Sequence, residues 1–141
     1  MRNLLLFAHV VGAIVFLGPT TVATSRFARH AANGDVAAAA DANRTARAYG
    51  TSSVVVPGIG FALANEVQAF DRPWVQASIG LFVVGALVLA VGHLPAQRAA
   101  LTAMRDGAPV RPTLLGRLRA TAGLYSTSWV VIAWLMVAKP T

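Results

Sequence analysis

Three histidines, two of them inside long apolar runs, are the side chains best suited to chemistry here, because a neutral imidazole binds metals and haem iron and also moves protons. His9 lies in the run 4–23, about 9 Å along a helix from Asn3. Gly12, Ala13 and Phe16 share its face, so a flat ligand would rest on small residues beside the imidazole, as at an axial haem ligand. The structural alternative is an imidazole that hydrogen-bonds a neighbouring helix. His93 lies about 29 Å of helix beyond Trp74, at the opposite end of its span from Trp74. His9 and His93 are therefore expected near opposite surfaces, too far apart to share one haem or metal. Next to Leu94 and Pro95, His93 reads as an interfacial residue that satisfies carbonyls freed by the proline. His30, four residues after Arg26, belongs to a basic, solvated loop.

Other polar groups suggest two further sites. Asn65 and Glu66, with His9 and Lys139, are expected at one end of the spans as a polar cluster. Tyr125, Ser126, Thr127 and Ser128 are placed to face Thr51, Ser52 and Ser53, either as hydrogen-bonding glue between helices or as the lining of a conduit. No phosphate loop, dinucleotide fingerprint, nucleophile elbow or zinc-protease helix is present, so no catalytic residue is assigned. With no cysteine, thiolate metal sites and disulfides are excluded, and no metal site is assigned. Met1, Met104 and Met136 are scattered, whereas copper pathways group soft ligands.

The elements that position these groups follow from composition. In 141 residues, 56% are hydrophobic and 12% charged, which suits a chain dissolved in lipid. Four apolar runs give approximate spans 4–24, 46–65, 74–95 and 119–138, a single all-α domain (1–141) folded as a four-helix transmembrane bundle. The first run also has the look of a cleavable signal peptide, and a retained helix is the preferred reading. The second run is the most polar and is expected inside the bundle, kinked near Pro57. Asn33-Gly34-Asp35 signals a turn, with Asp35 capping a helix that runs through the alanines beyond it.

The basic excess of +7 is distributed unevenly. Arg26, Arg29, Arg44 and Arg47, then Arg98, Arg105, Arg111, Arg117 and Arg119, put nine cations in the two connections 25–47 and 96–119. The other side has Arg2, Arg72 and Lys139. The positive-inside rule assigns a multi-pass protein of the cell membrane with both long loops cytoplasmic and both termini outside. The bilayer accounts for the charge, and no nucleic-acid motif accompanies it.

The segment 6–18, Leu-Phe-Ala-His-Val-Val-Gly-Ala-Ile-Val-Phe-Leu-Gly, resembles the first helix of a family of predicted integral membrane proteins of unknown function. His93-Leu94-Pro95 with Arg98 is similar to that family's third-helix exit, and 134–140 to its terminus. That family is in turn distantly similar to copper-resistance D proteins and to the four-helix, haem-binding protoporphyrinogen oxidases of bacteria. The likeness implies His9 as a haem contact. Against the oxidases, Phe16 stands where they have a tryptophan, and their Asn-Glu-x-Pro motif is absent from 119–129. Three functional classes follow. They are a non-enzymatic accessory or scaffold packing against other membrane subunits or itself, a haem or porphyrin binder resembling the oxidases, and a small-molecule or ion conduit.

Overall fold

The computed structural model describes residues 1–139 and is all-helical. Helix α1 (Arg2–Ala32) leads through a three-residue turn to α2 (Val36–Ser52) and α3 (Val55–Glu66), the two segments of a broken second helix. Helices α4 (Pro73–Arg105) and α5 (Pro112–Ala138) complete an up-and-down bundle with both termini at one end. The protein is a four-helix membrane bundle, and α1, α4 and α5 are each long and apolar enough to cross a bilayer.

These three helices have 31, 33 and 27 residues. At 1.5 Å per residue they are roughly 40–50 Å long, well beyond a hydrocarbon layer of about 30 Å. The excess lies at the arginine-rich end. The connections expected at 25–47 and 96–119 are thus mostly helix, and only residues 33–35 and 106–111 lie between helices there. The correction has a simple cause. Arginine and alanine are strong helix formers, and Asp35 starts α2 by accepting the Ala38 amide at 3.0 Å, as its capping position predicts.

The best-packed core also sits at this end. Phe27, Ala28 and Ala31 of α1 meet Ala39 and Ala42 of α2, Ala96, Ala100, Leu101 and Met104 of α4, and Leu118 of α5. Alanine lets backbones approach closely, so four helices converge on one small-residue interior. Towards the termini the bundle opens into two pairs, α1 with α3 and α4 with α5. Here Phe7, Val10, Ile14, Val83, Val84, Leu87, Val130 and Trp134 face outward, as a lipid-facing surface requires.

Prolines shape three of the helices. In the second helix the break falls at Ser53 and Val54 rather than at Pro57 itself. Proline lacks the N–H that would bond the Ser53 carbonyl four residues back, and its ring crowds that carbonyl. The Ser53 carbonyl instead accepts the Val56 amide at 3.0 Å. Beyond the break, α3 is an outward-facing apolar helix and not an interior one: Val54, Val55 and Phe61 are exposed. In α1 and α4 the chain widens into π turns at Ala13–Leu17 and Val88–His93, each ending two residues before a proline, Pro19 and Pro95. Wide turns of this kind are common at functional positions.

Candidate functional site

The wide turn of α4 ends on His93, which is completely buried. Gln97 follows four residues later on the same face and is also completely buried. Gly92 permits the approach of α5, since a Cβ there would lie 3.3 Å from the Thr121 methyl. These features assemble one polar chain across three helices. Asn43 Nδ2 of α2 donates to Gln97 Oε1 at 2.7 Å. The amide nitrogen of Gln97 stands 2.9 Å from His93 Nε2, and His93 Nδ1 stands 2.7 Å from Thr121 Oγ1 of α5. The Thr121 hydroxyl is 2.8 Å from the Arg117 carbonyl.

Donor and acceptor roles then follow in sequence. Gln97 Oε1 receives the Asn43 N–H, so its amide nitrogen is the group that donates to His93 Nε2. The imidazole proton therefore sits on Nδ1 and is donated to Thr121, whose own proton goes to the Arg117 carbonyl. Every bond points the same way, from α2 through α4 to α5. His93 is thus an interior residue bonded to side chains of its own helix and of α5, not the interfacial residue expected from Pro95. Asn43 and Gln97 escape a search for ionisable groups. Their signal in the sequence is positional: Gln97 is one helical turn from His93, and Asn43 stands among Ala39, Ala42 and Ala46 on a buried face.

His9 occupies a second and separate place. Its Nδ1 is 3.0 Å from the Val56 carbonyl of α3, and the ring is buried. Gly60 makes room for it, because a Cβ at that position would lie 2.9 Å from His9 Cε1. Since a carbonyl only accepts, Nδ1 carries the proton and Nε2 the lone pair. The small-residue face expected to seat a flat ligand is turned towards α3 at Gly12, where an added Cβ would lie 3.6 Å from the Val56 side chain. Val56 and Asn43, the partners of the two histidine sites, are thirteen residues apart along the second helix, so the histidines are held at different levels of the bundle.

The remaining expected groups do not come together. Asn65, Glu66 and Lys139 are exposed and form no side-chain hydrogen bond with His9 or with one another among the described residues. Pro140, in the terminal motif, lies outside the described residues. Thr51 and Ser52 are exposed, and Ser53 donates to the Gly50 carbonyl of its own helix. Ser126 and Ser128 likewise turn back on Ala122 and Leu124. Hydroxyls in a helix often satisfy themselves on the preceding turn, and that removes these from any interhelical role. Tyr125 is 1% exposed and packs edge-on against Trp129, which packs in the same manner against Phe82. Among the described residues, the Tyr125 hydroxyl and the Trp129 N–H have no hydrogen-bond partner.

Residues 3–140 match a family model described as "Predicted integral membrane protein (DUF2269)". The chain belongs to the DUF2269 family. No curated protein and no solved structure matches it. In this DUF2269 protein, then, two histidine sites stand on one frame: His9 pins α1 to α3, and His93 anchors the chain that ties α2, α4 and α5.

Proposed function

We propose that this integral membrane protein is a non-enzymatic accessory or scaffold subunit that packs against other membrane subunits or further copies of itself. The observation that carries this reading is an outward stripe of small residues on α5. Gly116, Ala120, Gly123 and Thr127 follow at helical spacing and are all exposed, and a Cβ at Gly116 or Gly123 would meet nothing within 4 Å. In lipid, helices associate where small residues allow close backbone approach. The interior polar groups give further support, because His93, Gln97 and Asn43 are spent on holding helices together. The arginine excess orients the subunit in the cell membrane with both termini outside and the arginine-rich end in the cytoplasm.

The test is association in a bilayer. Labelled copies in liposomes, together with stoichiometric companions retained from native membranes, report the contact. Ala120→Leu with Gly123→Leu is expected to reduce that association by about tenfold or more, since bulk on a close-packed face separates the backbones. A chain that is monomeric in lipid and brings no stoichiometric companion from native membranes overturns the reading.

A haem-binding reading at His9 rests on one observation. Its Nδ1 is committed to the Val56 carbonyl, which leaves Nε2 free as the ligating nitrogen, the arrangement typical of metal-bound histidine. A Soret band that His9→Ala abolishes decides for it. A preparation that stays colourless with added haemin decides against it.

A further inference from the structure

Between α2 and α4, at the arginine-rich end, lies a groove of about 410 Å³ lined by Ala40, Asn43, Arg44, Arg47 and Ala48 on one side and by Leu101 and Arg105 on the other. We propose that this groove is a binding site for a phosphate-bearing anion, with Arg44, Arg47 and Arg105 as its ligands. Three arginines share the lining and, among the described residues, no acidic residue does; neither Asp41 nor Asp106, the nearest acids in sequence, contributes to it. Like charges gathered in one concavity repel each other, and an anion held among them removes that cost.

Geometry favours phosphate over a point anion. Arg44 and Arg47 are three residues apart and so stand on one face of α2, while Arg105 reaches in from α4. Guanidinium forks approach a phosphate in pairs of parallel hydrogen bonds, and three forks from two helices can share its oxygens. Ala40, Ala48 and Leu101 complete the lining and bring no polar side chain to compete for the arginines. Asn43 forms part of the wall, and its bond to Gln97 clamps α2 to α4, so the two walls are fixed before anything binds. That is the preorganisation that makes a shallow charged groove into a site.

Depth supplies a second observation. Tyr49, two residues beyond Arg47, is a partly exposed aromatic of the kind that marks the headgroup layer. Arg105 lies ten residues past Pro95, about 15 Å further from the apolar span. The groove therefore runs from the headgroup level into water, within reach of a lipid phosphodiester or a soluble phosphate ester. The proposal is independent of the scaffold reading and of which face of the membrane the arginines occupy.

The experiment uses the full chain in a neutral detergent and measures retention of short-chain phosphatidylglycerol, with phosphatidylcholine as the zwitterionic comparison. Arg44→Gln, Arg47→Gln and Arg105→Gln together are expected to weaken phosphatidylglycerol binding about tenfold or more, through loss of charge-assisted bonds. An equally neutralised protein carrying Arg26→Gln, Arg117→Gln and Arg119→Gln is expected to bind nearly as the parent does. Arg105→Gln alone, with a thermal unfolding curve to show that it folds, gives an intermediate loss. Glycerol phosphate or inorganic phosphate that displaces the lipid at similar concentration identifies a soluble ester as the natural source; retention of the lipid against both identifies a headgroup. Equal losses in the two triple variants show diffuse charge alone, and that result, or no preference for phosphatidylglycerol over phosphatidylcholine, overturns the proposal.

Discussion

The two ends of this bundle are built on different physical terms. Towards the termini, helices pair two by two, large apolar side chains face outward, and the contact between α1 and α3 turns on a single buried histidine. At the arginine-rich end four helices meet on a core of alanines, and a continuous polar chain crosses three of them. The difference tracks the solvent. Lipid gives no hydrophobic reward for bringing apolar helices together, so packing there depends on small residues and polar bonds. Beyond the hydrocarbon layer water returns, and burying even alanine and leucine stabilises the fold.

Three substitutions, with a fourth, Val84→Ala, as the comparison for the second, probe that contrast from the greatest expected effect to the least. Gln97→Leu removes the centre of the polar chain and leaves Asn43 Nδ2 and His93 Nε2 without partners, at about 1–3 kcal/mol for each stranded group. Thermal unfolding in detergent measures it, and a melting temperature equal to the parent's would mean that the chain is not what fastens this end. Next, Ala100→Leu places three extra heavy atoms in a position with no exposed surface and is expected to cost about 1–3 kcal/mol through overpacking. The same assay on Val84→Ala, on the outward face of α4, is expected to show a change within about 0.5 kcal/mol. Similar losses at both positions would erase the distinction between the two ends. Last, Gly60→Ala pushes a methyl to within 2.9 Å of His9 Cε1, so the ring must shift and its bond to Val56 weakens. The expected loss is about 0.5–1.5 kcal/mol, the worth of one hydrogen bond. Imidazole ¹⁵N chemical shifts check it, since an Nδ1 that keeps its proton and its bond after the substitution would show that His9 does not pin α1 to α3.

Much of the frame was legible from apolar run length. Runs 4–24, 74–95 and 119–138 fall within α1, α4 and α5, and Asp35 begins a helix as its cap chemistry predicts. Apart from the helix that Asp35 caps, the helical nature of the arginine-rich segments was not, because charge marks a segment as lying outside lipid without saying whether it is coiled. Helix propensity of alanine and arginine carried that information. The kink expected near Pro57 falls at Ser53 and Val54, three to four residues upstream, where the ring's steric conflict lies. Of the site residues, His9 was readable as a buried group, whereas the roles of Asn43 and Gln97 depend on which helix faces which. That register is tertiary, and neither amide titrates or belongs to a motif. The hydroxyl clusters misled for the opposite reason: a serine's spacing shows which face it shares, but not whether it bonds across or back along its own helix.

The broken second helix also bears on a question of parity. A chain that crosses a membrane an odd number of times leaves its two ends on opposite sides, and an even number leaves them together. Three helices here are long enough to cross unaided, and α3, with twelve residues, spans only about 18 Å by itself. The bundle nonetheless returns both termini to one end, because α2 continues the path that α3 leaves unfinished. The turn at Ser53 and Val54 thus joins two segments, neither of them among the three long apolar helices, into the second arm of the bundle.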